Sequence, residues 1–242
     1  MRHRDHTMHR LERLNLTNSE LHLPAASDGE DPALLAPQHY EPGYQYPLLV
    51  WLHGRGEDQR QLRRIMPMLS LRNYVSVAPQ GARRDPSGGR GWGEREGDLS
   101  LAADRIFQAV EKTAARYNIR EDRVFLMGHG EGGTTALRIA LRDPRRFAGV
   151  VSLEGKFPTG RRPLACFHQS RQLPVLMTRT RDSREYPLED AGNDSRLLSL
   201  SGMTVSLKEY PAGPALCKPA LADVNRWLME LVVRSSTTAT PV

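Results

Sequence analysis

Residues 126–140 read LMGHGEGGTTALRIA. An apolar run, Val124 to Gly128, leads into His129-Gly130-Glu131-Gly132-Gly133. After it, Thr134 to Arg142 follow a helical pattern that Asp143-Pro144 stops. The order is strand, tight turn, helix. Clustered glycines permit positive φ and close backbone approach, so the turn suits a sharp reversal. The letters GHGEGG also fit G-x-G-x-x-G, the dinucleotide fingerprint. That fingerprint belongs at the first βαβ unit of a domain, whereas several strands precede this one, so the nucleotide reading is weak.

Around the turn, short apolar runs recur: YPLLVWLH (46–53), YVSVAP (74–79), VFLMG (124–128), AGVVSL (148–153), LPVLMT (173–178) and TVSLKEY (204–210). None alternates cleanly, which is the pattern of strands buried on both faces of a parallel sheet. Helical stripes lie between them. Leu99, Ala103, Ile106, Val110, Ala114 and Tyr117 form one, and Leu221, Val224, Trp227, Leu228 and Leu231 form another near the C-terminus. Such alternation predicts an α/β fold, a mostly parallel, doubly wound sheet flanked by helices. Residues 9–24, HRLERLNLTNSELHLP, alternate loosely about a turn and predict an N-terminal antiparallel edge hairpin. Residues 28–45 read as a Pro-rich loop. A disordered arm (1–8), a single domain (9–233) and a disordered tail (234–242) complete the expected organisation.

The 242 residues suit one such domain. No apolar run approaches the roughly 20 residues that span a bilayer. The opening MRHRDHTMHR is charged, with no apolar stretch behind it, unlike a secretory signal. Two cysteines, Cys166 and Cys217, make neither a disulfide framework nor a metal site, and His and Cys do not recur at ligand spacing. The expectation is a reduced, cytoplasmic protein without metal or cofactor. Net charge is +6, with arginines gathered at Arg60, Arg63 and Arg64, at Arg142, Arg145 and Arg146, and at Arg179, Arg181 and Arg184. A basic surface attracts nucleic acid or anionic membrane. Here 28 acidic residues accompany 34 basic ones, so a solvated mixed surface is the better reading.

A strand-to-helix turn of the form G-x-S-x-G holds the nucleophile of α/β-hydrolases on a strained backbone. Gly128, His129, Gly130, Glu131 and Gly132 fill that frame with glycine in the middle. Upstream, LLVWLHGRGED ends a strand with His53, Gly54, Arg55 and Gly56, and VAPQG is followed by Trp92 in GRGWGE. With these segments the chain, over about residues 44–233, resembles the phospholipase/carboxylesterase family of α/β-hydrolases, which includes acyl-protein thioesterases. The resemblance implies an α/β-hydrolase fold. It implies an oxyanion or ligand site built from Gly54, Arg55, His129, Glu131 and Trp92, and it puts Gly130 at the nucleophile position. Glycine has no atom to attack a carbonyl, and it relieves the strain that a positive φ imposes on other residues.

In this fold the triad runs Ser, then acid, then His along the chain. LPVLMTRTRDSREYP supplies Asp182 as the acid, though Thr178-Arg179 stand where the family usually has His-Gly. The alternative for Asp182 is a surface aspartate paired to Arg181 or Arg184. VSLKEYPAGPALCKP has the shape of the histidine segment, but Pro214 holds the histidine's place, and proline is no general base. None of the eight histidines follows Asp182.

Three functional readings follow. One is a catalytically inactive or strongly impaired carboxylesterase relative that binds an acyl or ester ligand or a partner protein. Another is an ester hydrolase in which His129 with Glu131 activates water. The third, resting only on the arginine excess, is a binder of anions or nucleic acid.

Overall fold

The computed structural model describes residues 31–86, 88–158 and 170–237. Seven strands form one sheet in the order β1-β3-β2-β6-β7-β8-β9. They are β1 (Ala33–Leu35), β2 (Tyr46–Leu52), β3 (Val75–Ala78), β6 (Ile119–His129), β7 (Gly149–Leu153), β8 (Pro174–Thr180) and β9 (Thr204–Tyr210). All neighbours pair in parallel except β1, which runs antiparallel to β3. A separate ribbon joins β4 (Arg83–Arg84) to β5 (Arg90–Gly91). The helices are α1 (Gln61–Leu69), α2 (Glu96–Ala114), α3 (Glu131–Arg142), α4 (Leu188–Leu200) and α5 (Lys218–Thr237).

The central strands explain the unbroken apolar runs. Every residue of β2 is buried. Leu48, Val50 and Leu52 point into one core, shared with α2, α3 and part of α4, while Leu49 and Trp51 point into a second, shared with α1 and α5. Side chains alternate between faces, so a strand covered on both sides must be apolar throughout. Each such Leu or Val contributes roughly 1.5–3 kcal/mol through burial. The two cores make the sheet doubly wound, as the α/β expectation required.

Four details differ from the sequence reading. The antiparallel edge is Ala33–Leu35, inside the stretch expected to be a Pro-rich loop; the hairpin expected over 9–24 lies outside the described residues, as does the arm over 1–8. Pro32 and Pro37 bracket this strand and disguise it, yet proline is tolerated at an edge. The strand before the turn starts at Ile119 rather than Val124, because polar Arg120, Glu121 and Asp122 sit on a stretch past a register shift against β2. Helix α1 was hidden by Pro67 and by arginines, although Leu62, Ile65, Met66 and Leu69 make a buried stripe. The last helix runs on to Thr237, past the expected boundary at 233.

Candidate functional site

The turn from β6 into α3 is a single residue, Gly130. Gly130 has φ 54° and ψ −120°, a conformation few side-chain-bearing residues adopt. Its N–H donates to Leu153 O at 2.8 Å, and its carbonyl accepts from Thr134 N–H at 3.0 Å, which starts the helix. Gly132 answers a different need. A Cβ there would lie 2.3 Å from Leu52 O and 2.4 Å from His53 O, so only glycine lets α3 seat against β2. A Cβ on Gly130 would meet nothing within 4 Å. That position opens onto a cleft.

The cleft has a volume of about 970 Å³. Gly54, Arg55, His129, Gly130 and Glu131 all border it, together with Thr134, Arg138, Glu154, Lys156 and Phe157. The structure thus brings together five of the residues singled out in the sequence. Two backbone amides there, Arg55 N–H and Glu131 N–H, have no hydrogen-bond partner among the described residues. Glu131 is the first residue of α3, where helix N–H groups lack intrahelical acceptors and favour negative charge. Gly54 N–H is already used: it donates to Gln61 Oε1 at 3.2 Å, which also accepts from Trp51 Nε1 at 2.9 Å.

His53 is fully buried. Its Nε2 accepts from Gly81 N–H at 2.9 Å, so the proton sits on Nδ1, which donates to Gly54 O at 2.8 Å. Burial holds its pKa below the ordinary histidine value. Both ring nitrogens are therefore spent on holding the loop. Trp92, expected at the ligand, lies behind this loop instead: it is 1% exposed, and its Nε1 donates to His53 O at 2.9 Å.

His129 lies half-buried with its Nδ1 unpartnered among the described residues, close against Gly54. Burial lowers its pKa, opposed by the charges of Glu154, Glu57 and Glu185. Glu131 turns toward the Trp92 loop. Its Oε1 accepts from Gly93 N–H at 2.8 Å, and its Oε2 packs beside Gly91 without a partner among the described residues. No hydrogen bond joins His129 to Glu131 among the described residues.

Asp182 and Pro214 do not line the cleft. They occupy adjoining exposed loops after β8 and β9, where Asp182 Oδ1 accepts from Gly213 N–H at 3.2 Å. That hydrogen bond holds the Asp182 carboxyl below the usual carboxylate range. Asp182 forms no ion pair with Arg181 or Arg184 among the described residues; Arg181 pairs with Glu209 instead. Arg179, standing in place of the family's usual residues, is buried and ion-paired to Glu209 on the neighbouring strand.

Glu154 was missed in the sequence. It follows β7 at φ 57°, accepts from Thr180 N–H at 2.6 Å and Ser183 Oγ at 2.9 Å, and so ties the end of β7 to the Asp182 loop. Its place directly after the run AGVVSL was the available signal, because open α/β sheets bind ligands at strand carboxyl ends. Among the described residues, no group of three or more His, Cys, Asp or Glu side chains could hold a metal ion. No helix there is long and apolar enough to cross a membrane.

The parallel sheet, the strained turn after its central strand and the amides beside it define an α/β-hydrolase. More narrowly, the chain belongs to the phospholipase/carboxylesterase family, whose model matches residues 43–232. The crystal structure of Arabidopsis thaliana SOBER1 superposes with a TM-score of 0.65 at 19% identity, covering 77% of this chain and 99% of that one. The Bacillus cereus carboxylesterase gives 0.67 at 14% identity, over 83% and 93%. In sequence, the Nocardia uniformis subsp. tsuyamanensis protein named "Putative esterase NocK" is 28% identical over 133 residues, 54% of this chain and 38% of its own length. A Caenorhabditis elegans dipeptidyl peptidase family member 2 is 31% identical over 137 residues, 53% of this chain and 16% of its own length. The matches thus span well under half of either curated relative.

Proposed function

We propose that this protein is a catalytically inactive or strongly impaired relative of the carboxylesterases and phospholipases, and that it binds a small ligand in the cleft above its strand–helix turn. The observation that carries the reading is Gly130. It has the strained backbone and open outlook of a nucleophile position, with no side-chain atom to attack. The segment expected to supply the histidine reads Gly213-Pro214, and neither residue accepts a proton from a nucleophile. With a triad absent, backbone positioning and oxyanion stabilisation leave a residual effect of about 10³-fold over water in serine proteases. Arg55 and Glu131 offer amides whose function does not depend on their side chains. An acyl or ester oxygen is a chemically fitting guest for them.

The alternative of hydrolysis by His129 and Glu131 draws less support. It needs the pair to share a water, and Glu131 turns its carboxylate to the Trp92 loop, where Oε1 is held by Gly93 N–H and Oε2 packs beside Gly91. The arginine-based reading is weakened by surface pairing, as in Arg142 with Glu96 and Arg226 with Asp223. A cytoplasmic setting is the reading that two cysteines, too few for a disulfide framework, support. The test is a fluorophosphonate probe applied to the purified protein. Absence of labelling is expected; stoichiometric labelling would remove the proposal.

A further inference from the structure

We infer that the cleft takes a short zwitterionic ligand, of the amino-acid or dipeptide kind, rather than a long acyl chain. This rests on the reading of the cleft as a binding site. Among the described residues its lining carries only two apolar side chains, Phe157 and Pro158, and Phe157 is itself 9% exposed. A long acyl chain gains affinity by removing apolar area from water against apolar walls. This cleft offers few apolar side chains among the described residues.

The walls are instead charged with both signs, and the charges divide into paired and unpaired sets. Arg55 is matched by Asp85, and Glu57 by Arg64. Lys156 forms no ion pair among the described residues, though its charge also acts on the Asp194 carboxyl, and the Arg138 guanidinium donates a long bond, 3.4 Å, to the neutral carbonyl of Gly93. These two keep donors and positive charge for a carboxylate. On the opposite side of the charge balance, the Glu154 carboxylate is held by Thr180 and Ser183, which are neutral donors. Glu185 makes no hydrogen bond or ion pair among the described residues. Both glutamates line the same cleft as His129 and Gly130. They keep negative charge for an ammonium group. A ligand of one sign would meet like charge in the lining, whereas a ligand carrying both satisfies both sets.

Isothermal titration of the full chain tests this with glycylglycine, glycyl-L-lysine, glycyl-L-glutamate and, below its micellar concentration, dodecanoate. At least one dipeptide should bind saturably and at least ten-fold more weakly to Lys156→Ala and to Glu185→Ala, both exposed positions. Dodecanoate should give only dilution heat. Dodecanoate binding that Thr134→Trp abolishes, with all dipeptides silent, would overturn the zwitterionic inference and leave the cleft as a ligand site. Dipeptide binding indifferent to both charge variants would overturn it too, by putting the ligand elsewhere. Silence from all four compounds would count against the inference and the binding reading together.

Discussion

Asp182 Oδ1 accepts a hydrogen bond from Gly213 N–H at 3.2 Å, one residue before Pro214. The loop expected to carry the acid therefore touches the loop expected to carry the histidine, across two neighbouring strands of the sheet. At that contact the Asp182 carboxylate is held by a backbone amide.

The first prediction concerns the turn. Gly130→Ala adds a Cβ into open space but at φ 54°, so it should destabilise by roughly 1 kcal/mol. Gly132→Ala forces a Cβ to within 2.3 Å of Leu52 O, and backbone on both sides must move. It should cost about 3 kcal/mol or prevent folding. Urea midpoints of the two variants check the order; equal losses would show that the junction is not held as described.

A second prediction follows from His53. Burial lowers its pKa in the folded protein, so the folded state binds fewer protons than the unfolded one as pH falls. Its contribution is fully present above about 6.5, the ordinary value, and is lost as pH falls from there through the lowered folded pKa. Wild type should lose stability on acidification through that window. His53→Ala should start less stable, because Gly81 N–H loses its acceptor, and show a shallower dependence. Denaturant unfolding at pH 5, 6 and 7 distinguishes this from a slope shared equally by both proteins.

Arg179 supplies the third. Its side chain is 4% exposed, donates to Tyr186 O at 3.1 Å, and pairs with Glu209. Arg179→Ala should destabilise by about 3 kcal/mol, the low end for breaking a buried pair, because Glu209 retains 32% exposure. Glu209→Gln, which keeps an acceptor, should cost less. Thermal melts of both variants read the difference.

Much of the fold was visible in the sequence because burial on both faces leaves a simple mark. The runs at 46–53 and 148–153 carry it, and both are strands of the central sheet. What escaped notice was structure whose local signal is overridden by tertiary contacts. Ala33–Leu35 is a strand only because β3 lies beside it, and α1 forms around Pro67 because its stripe packs on the sheet. The turn was legible from its glycines alone, since close approach and positive φ each demand them. The charge of the cleft was not. Arg138, Glu154, Lys156 and Glu185 lie on separate segments or alternate with other residues, and each alone reads as a charge facing solvent. Trp92 illustrates the converse: the family resemblance implied a ligand contact, and only the three-dimensional packing shows its ring beside His53.

The most direct measurement of the central claim is hydrolysis of p-nitrophenyl butyrate by wild type and by the Gly130→Ser, Pro214→His double variant. A serine at Gly130 has space, and a histidine at Pro214 would stand beside the loop of Asp182. Wild type is predicted to be silent and the double variant to turn over, with Asp182→Asn then reducing its rate. Wild-type turnover that survives Asp182→Asn would contradict the account and return attention to His129 and Glu131.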